Sequence, residues 1–402
     1  EGAAFSFAAP GQNRYPGAMT DTTHRALLPQ GLRDLLPPAA AAEAGMVARL
    51  VAVLASHGYE HVQPPLMEFE ENLLSGAGAA MAHETFRLMD PISQRMIGLR
   101  ADMTPQVARI AAARLAHAPR PLRLCYAGQV LRVRGSDIRP ERQVGQVGAE
   151  LIGSAETAAD IEAVSVAAEA LSGLGVEGLS IDLTLPTLVP ALARGASLDA
   201  DKGEALRRAL DHKDAAAVAA SAGKAAAILT KLLAAAGPAK TALDAIAALD
   251  LPKEAAAERA RLVAVAKHLT QIMPSVAITI DPVENRGFEY HTGVSFSFFA
   301  RGVGSELGRG GRYRTGGENG EGRGEDATGF TLYTDTVLEA MPPHRAAPRL
   351  YVPAGSDATA AARWRSQGYV TVAGLAPVKN VEAEARRLGC NHVLAGEKIV
   401  TV

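Results

Sequence analysis

Four short segments of this 402-residue chain carry polar side chains at spacings that could hold a small zwitterion. The first is Asp102-Met103-Thr104, immediately before Pro105. A carboxylate there can take an ammonium, with the Thr hydroxyl as a second partner. The same residues would also serve a helix start, Thr104 as N-cap and Asp102 at the positive end of the dipole. The second is Gln146-Val147-Gly148-Ala149-Glu150, which on a strand puts Gln146, Gly148 and Glu150 on one face. A Gly between two polar residues leaves room for a ligand to approach the backbone. A solvated sheet face would show the same alternation without needing the Gly. Third, Arg132 and Arg134 share a strand face and could receive a carboxylate or phosphate bidentately, or be surface charges. Fourth, Arg286 and Gly287 enter a run that continues through Tyr290 and His291, joined later by Gly310-Gly311-Arg312-Tyr313. Arg286 there would aim a charge at a site.

Other chemistries lack their residues. His57 and His61 are four apart, but Gly58 and a strand pattern separate them, so they do not form a helical metal pair. No P-loop, GxSxG or HExxH occurs. The Gly cluster at 302–324 has no following helix and so makes no phosphate cradle.

The elements that must position these segments follow from apolar periodicity and breakers. Residues 1–18 lack the layout of a signal peptide and are set aside as a disordered or upstream segment. After Pro37-Pro38, Met46, Val47, Leu50, Val51 and Leu54 recur at helical spacing, and Gly58 stops the helix. Residues 59–62 read as a short strand, Thr104-Pro105 as a second helix start. Strands follow at 122–127, 129–134 and 144–152, with 135–142 as a hairpin loop. Ser154 caps a third helix, and 179–183 is the next strand. Residues 187–272 are Ala/Leu-rich, hold seven of the nine lysines and read as a helical insertion. Strands resume at 276–280, 289–299 and 328–332, with 301–324 expected to be mostly a mobile loop. A Pro-rich linker then leads into a small βαβαβ tail over 348–402. The whole is an α+β chain: an antiparallel sheet core over 19–341 with flanking helices, plus that tail.

Composition sets limits on partners. Hydrophobic residues are 48% and charged ones 21%, a globular balance, and no apolar run reaches 18 uninterrupted residues. The net charge of -2 lacks the basic excess of a dedicated nucleic-acid binder. Two cysteines, Cys125 and Cys390, are too few for a disulfide framework or a cysteine-built zinc site, and read as reduced thiols of a cytoplasmic protein.

In order, these segments resemble histidyl-tRNA synthetase, a class II aminoacyl-tRNA synthetase. Residues 29–37 (PQGLRDLLP) look like its first signature, and Leu99-Arg100-Ala101-Asp102-Met103-Thr104 matches Leu-Arg-Pro-Glu-Gly-Thr with Asp for Glu. Residues 129–150 look like motif 2. Arg286-Gly287-Phe288-Glu289-Tyr290 is similar to the histidine-specific Arg-Gly-Leu-Asp-Tyr, and Gly310-Gly311-Arg312-Tyr313 matches Gly-Gly-Arg-Tyr. The resemblance implies a class II fold and a histidine pocket. In it Asp102 and Thr104, helped by Gln146, would take the α-ammonium, and Glu150 and Tyr313 would face the imidazole. Arg132 would face the carboxylate side or a phosphate, and Arg286 and Tyr290 would complete the histidine-binding set.

The departures from that pattern matter as much. Thr336 stands where motif 3 of the synthetases carries its ATP-binding Arg, and Tyr333 where it carries Gly. A hydroxyl cannot replace a guanidinium on a polyphosphate, where one charge-assisted bond is worth about 1.5–3 kcal/mol. Arg134 and Gly135 replace the expected Glu and Arg, His291 replaces a second Tyr, and the tail is shorter than an anticodon-binding domain. With these losses the chain resembles the regulatory subunits of ATP phosphoribosyltransferase. That resemblance implies a non-catalytic role beside the short-form catalytic subunit, as a hetero-octamer built on a self-dimer. It also implies histidine as effector, with no tRNA, membrane, cofactor or metal involved. A divergent histidyl-tRNA synthetase, or an enzyme adenylating another amino acid, is the alternative.

Overall fold

The computed structural model describes residues 27–136, 139–195, 200–284, 290–316, 324–343 and 346–402. The expectation for 1–18 and the Arg286–Glu289 part of the fourth segment lie outside the described residues. The described residues divide into two compact units, one of 27–36 with 43–340, the other of 37–42 with 341–402.

The first unit is built on a nine-stranded sheet. In chain order its strands and those of a small neighbouring sheet are β1 (Glu60–His61), β2 (Met67–Phe69), β3 (Arg87–Met89), β4 (Met96–Leu99), β5 (Leu122–Leu131), β6 (Gln143–Ile152), β7 (Ser180–Thr184), β8 (Gly237–Pro238), β9 (Ala277–Asp281), β10 (Ser295–Phe299), β11 (Gly308–Arg314) and β12 (Asp326–Tyr333). The large sheet runs β1-β5-β6-β12-β11-β10-β7-β9-β8, and β2-β4-β3 form the small one. Its centre is antiparallel, as expected, while β1–β5 and β7–β9 pair in parallel.

Helices α1 (Ala39–Ser56), α2 (Glu70–Leu73), α3 (Thr104–Arg109) and α4 (Thr157–Gly173) precede the insertion. The insertion itself is the expected helical block, α5 (Leu188–Gly195), α6 (Ala200–Asp211), α7 (Ala215–Ser221), α8 (Ala226–Ala234), α9 (Ala239–Ala247) and α10 (Lys253–Ile272), and α11 (Thr334–Ala340) follows β12. Helix α1 buries Met46, Leu50 and Leu54 and stops at Gly58, whose φ of 80° suits a left-handed cap. By length and mean hydropathy, 1.5, α1 is the one helix among the described residues that could cross a membrane. Glu43 and Arg49 interrupt that run: Glu43 accepts a hydrogen bond from Thr334, and Arg49 donates to the Gly173 carbonyl.

Three expectations are corrected. The two strands expected at 122–127 and 129–134 are one, β5, which runs unbroken through Gly128 and ends at Leu131: a Cβ at Gly128 would lie 2.5 Å from Nη2 of Arg100, which needs that space. Arg132 and Arg134 consequently fall past the end of β5, where the strand-like pairing of Arg132 is an isolated bridge to Thr85. Residues 308–314 are a central strand rather than part of a mobile loop. Its glycines face crowded neighbours: a Cβ at Gly310 would lie 2.2 Å from the Gly329 carbonyl, and one at Gly311 would lie 2.6 Å from the His291 ring. Ser154 does not cap α4, which begins at Thr157; its hydroxyl accepts from the Glu156 N–H instead.

A cluster of Met103, Val107, Ala111, Leu124, Tyr126, Val130, Val144, Tyr313 and Tyr333 packs α3 against β5, β6, β11 and β12. On the opposite side α4 is tied to the sheet by Arg312, whose guanidinium meets Asp160 at 3.0 Å and also donates to the Ser154 and Glu156 carbonyls. Both side chains are almost wholly buried, 3% and 1% exposed.

In the second unit β13 (Arg349–Val352), α12 (Ala358–Ser366), β14 (Val370–Ala373), α13 (Val381–Arg387), β15 (His392–Ala395) and β16 (Lys398–Thr401) follow the expected order. Strand alternation explains its two cores: Leu350 and Val352 join Ala360, Ala361 and Leu394, whereas Tyr351 joins Ala385, Cys390 and Val393. Cys125 and Cys390 are both buried free thiols.

The Asp160–Arg312 pair carries the first testable consequence. Breaking a buried pair from one side strands the other charge, at a cost of about 3–5 kcal/mol. Asp160→Ala is therefore expected to lower unfolding stability by that amount in urea denaturation, far more than removal of the exposed Glu382 from its pair with Arg386.

Candidate functional site

Strand β6 and the first turn of α3 place the polar groups that the sequence singles out. Gln146 and Glu150 share the β6 face turned to α3, both essentially inaccessible to solvent. Gln146 holds α3 in place from two sides: its Oε1 accepts the Met103 N–H at 3.1 Å, and its Nε2 donates to Asp102 Oδ2 at 3.0 Å. Asp102 Oδ1 accepts the Thr104 N–H at 2.8 Å, so the carboxylate is fixed with lone pairs to spare.

Thr104 does not act as the N-cap. Met103 occupies that position, and the Thr104 hydroxyl donates to Glu150 Oε1 at 2.9 Å. The competing demand of a buried carboxyl outweighs the cap.

Glu150 is the centre of the arrangement. Tyr313 OH donates to its Oε2 at 2.9 Å, and Tyr126 OH approaches Oε1 at 3.4 Å while pairing with Thr331 at 2.7 Å. Burial pushes the Glu150 carboxyl up to about 8, against the lowering effect of the Thr104 and Tyr313 hydroxyls. At neutral pH the group carries its proton. Burial likewise drives the Tyr126 and Tyr313 phenols well above their ordinary range, so both stay protonated donors.

Two glycines make the room. A Cβ at Gly329 would lie 1.8 Å from Glu150 Oε2. Gly148 serves a different purpose from the one its spacing suggests: a Cβ there would lie 2.4 Å from the Tyr126 ring, so it admits a protein side chain, not a ligand.

These groups open on a small recess of about 40 Å³, lined by Asp102, Thr104, Glu150, Tyr313 and Tyr333, with Tyr290 and His291 alongside. The Tyr290 and His291 rings lie 4.1 Å apart, and Tyr290 meets Tyr313 edge-on at 6.3 Å. Of the residues singled out by sequence, Asp102, Thr104, Gln146, Glu150, Tyr290 and Tyr313 thus come together. Arg132 lies beyond the recess, Arg134 does not line it, and Arg286 is outside the described residues. Tyr126, Arg309 and Tyr333 were not singled out as ligand groups. Gly148 was the available signal for Tyr126, since a glycine in mid-strand asks what large neighbour fills its space.

The recess adjoins a cleft of about 560 Å³ that shares Asp102, Thr104, Tyr290, Arg309 and Tyr333 with it. Each guanidinium lining that cleft has a carboxylate partner. Arg132 pairs with Glu84 at 3.4 Å, Arg139 with Asp335 at 3.6 Å, and Arg309 donates to Glu306 at 2.9 Å. Arg139 also lies over the Tyr333 ring, 4.1 Å from its centroid. Its Nη2 and the Thr336 hydroxyl donate to the same carbonyl, that of Glu306, at 3.1 and 2.9 Å. Among the described residues no group of three His, Cys, Asp or Glu side chains is placed to hold a metal ion.

A mixed sheet with an antiparallel centre, a signature helix start and a small polar recess beside it define a class II aminoacyl-tRNA synthetase-like chain. The histidyl-tRNA synthetase family profile matches residues 31–337. A protein of Paramagnetospirillum magneticum named ATP phosphoribosyltransferase regulatory subunit is 57% identical over 384 residues, covering 96% of this chain and all of that one. A solved ATP phosphoribosyltransferase regulatory subunit/histidyl-tRNA synthetase from Bacillus halodurans has the same fold, with a TM-score of 0.75 at 24% identity over 90% of this chain and 96% of that one. The ATP phosphoribosyl transferase (HisG:HisZ) complex of Thermotoga maritima holds a chain with the same fold, with a TM-score of 0.57 at 18% identity over 73% of this chain and 97% of that one. The chain belongs to the family of ATP phosphoribosyltransferase regulatory subunits.

The raised Glu150 carboxyl has a measurable consequence. The folded protein holds this proton up to about pH 8, whereas an unfolded chain releases it near 4.5. Stability from this group is therefore complete below about 4.5 and is lost as pH rises to about 8. Glu150→Gln, which cannot ionise, is expected to gain stability relative to the parent between pH 6 and pH 9 in paired urea titrations. An unchanged difference would mean that Glu150 titrates normally.

Proposed function

We propose that this chain is the non-catalytic regulatory subunit of ATP phosphoribosyltransferase, that it activates the short catalytic subunit, and that its recess binds the feedback effector histidine. The observation that carries the reading is the contrast between two adjoining spaces. The recess brings together polar groups suited to an imidazole and an ammonium, while every cation among the described residues lining the neighbouring cleft is already matched by a carboxylate.

In this reading Asp102 takes the α-ammonium, its two oxygens held by the Thr104 N–H and Gln146. Glu150 and Tyr313 take the imidazole, and Arg132 lies on the carboxylate side. Adenylation is lost because a polyphosphate needs unpaired cations. The guanidinium that shares the Glu306 carbonyl with Thr336, that of Arg139, is instead neutralised by Asp335 and held on Tyr333. The chain works in the cytoplasm, as a self-dimer within a hetero-octamer with the catalytic subunit, and does not engage tRNA.

A sensor changes its partner only through a difference in affinity between two states of the complex, typically about 1–3 kcal/mol of coupling. The direct test follows phosphoribosyl-ATP formation by the short catalytic subunit. Adding this chain is expected to raise the rate, and histidine to lower it again. Glu150→Gln should weaken histidine binding by about 10- to 100-fold, the worth of one hydrogen bond to a charged group. Histidine-dependent exchange of pyrophosphate into ATP by the isolated chain would overturn the non-catalytic reading.

The protonation states give a second check. Neutral histidine, with an imidazole pKa near 6.5, can enter a site whose carboxyl already carries the proton and share it without uptake or release. Above about pH 8 the site has lost that proton, and below about 6.5 the imidazole brings a surplus one. Affinity measured by calorimetry across pH 5–9.5 is expected to peak between the two values, and a monotonic profile would count against the pairing.

A further inference from the structure

We infer that Glu84 governs the carboxylate end of this site by competing with the ligand for Arg132; the inference rests on the recess being a histidine site. The backbone builds the competition in. Arg132 lies one residue past β5 and bridges to Thr85, and the Val133 N–H donates to the Glu84 carbonyl at 2.9 Å. Glu84 and Arg132 are therefore held side by side whether or not anything else binds.

Their side chains meet loosely. Glu84 Oε2 lies 3.4 Å from Arg132 Nε, is itself shielded from water, and accepts no hydrogen bond from the described residues. Arg132 Nε also lies 3.4 Å from the carbonyl of Ala101, the residue next to Asp102. The guanidinium thus sits beside the ammonium anchor, where the carboxylate of an amino acid seated on Asp102 would reach it. Both residues line the cleft into which the recess opens.

A guanidinium fork takes a carboxylate best through two parallel N–H bonds. Glu84 reaches only the Nε edge, so its hold is weak enough to yield but strong enough to be felt, because two carboxylates on one guanidinium repel each other. Glu84 therefore reduces what a ligand carboxylate contributes, and an amino acid and its carboxylate-free analogue are discriminated less than the presence of Arg132 suggests. Removing the Glu84 charge should restore that discrimination while leaving the backbone bridge intact.

The experiment titrates the full chain and its Glu84→Gln variant calorimetrically with histidine and with histidinol, which has an alcohol in place of the carboxylate. Thermal unfolding of both proteins checks that the variant is folded. Histidine is expected to bind the variant about three- to fivefold more tightly, the effect of one partly exposed ion pair. Histidinol should bind it no more tightly than it binds the parent. Equal tightening for both ligands, or no tightening for histidine, would overturn the competition while leaving the pocket reading intact. Absence of histidine binding to either protein would overturn the pocket reading and the inference with it.

Discussion

The carboxyl group of a residue only 1% exposed, on an interior strand of a nine-stranded sheet, must find its partners inside the protein, and much of the local architecture answers to that need. An uncompensated charge there would be far more costly than any local preference of the chain. Glu150 meets the demand in two ways. It keeps its proton, and it draws three hydroxyls toward it, from Thr104 on α3, Tyr313 on β11 and Tyr126 on β5. Four separate stretches of sequence are constrained by that one side chain. Gly329 must lack a Cβ because the carboxyl occupies its space, and Gly148 must lack one because the Tyr126 ring does. The entry of α3 is fixed as well, since the Thr104 hydroxyl that could have capped it is engaged elsewhere.

The neighbouring cleft follows the opposite logic. It is large enough for a ligand, yet its three arginines face Glu84, Asp335 and Glu306, so little unbalanced positive charge is left to attract phosphate. On the proposed reading, Thr336 standing where the synthetases carry an arginine is only part of that arrangement. The Arg139 guanidinium reaches the carbonyl that Thr336 also touches, which keeps the space filled and the backbone satisfied without creating an anion site. On the proposed reading, a recognition pocket has been kept and the chemistry beside it removed. The two alterations are separable because different residues carry them.

Much of the fold was legible in the sequence, and most of the failures share one physical origin. Helix α1 with its Gly58 stop, the block of helices at 187–272 and the alternating order of the second unit all follow from periodicity and breakers. The errors fall where a residue's usual meaning is overridden by a neighbour. Gly128 looks like a strand break but makes way for Arg100. Gly308, Gly310 and Gly311 look like a mobile loop but face a backbone carbonyl, the Phe296 ring and His291 within a central strand. Thr104 looks like a cap but serves Glu150. Each misreading applied a local rule where a tertiary contact decided. The cluster of Asp102, Thr104, Gln146, Glu150 and Tyr313 was legible as residues, because period-2 spacing put Gln146 and Glu150 on one face. Its dependence on Tyr126 and on Gly329 was not, because those contacts join residues far apart in the chain.

The chemistry of the site also sets how a ligand there could be felt elsewhere. Glu150 is surrounded by packed side chains on β5, β6, β11 and β12, a rigid setting whose response to an imidazole is a change in protonation and hydrogen bonding. The carboxylate end is different. Arg132 lies past the end of β5, with Glu84 on the chain that leads directly into β3 of the small sheet. A ligand carboxylate that takes Arg132 releases, on the proposed reading, the Glu84 side chain beside β3, whereas a ligand that only fills the buried end leaves that ion pair in place. On the proposed reading a zwitterion engages both ends, and its carboxylate, not its imidazole, is the part placed to move the protein.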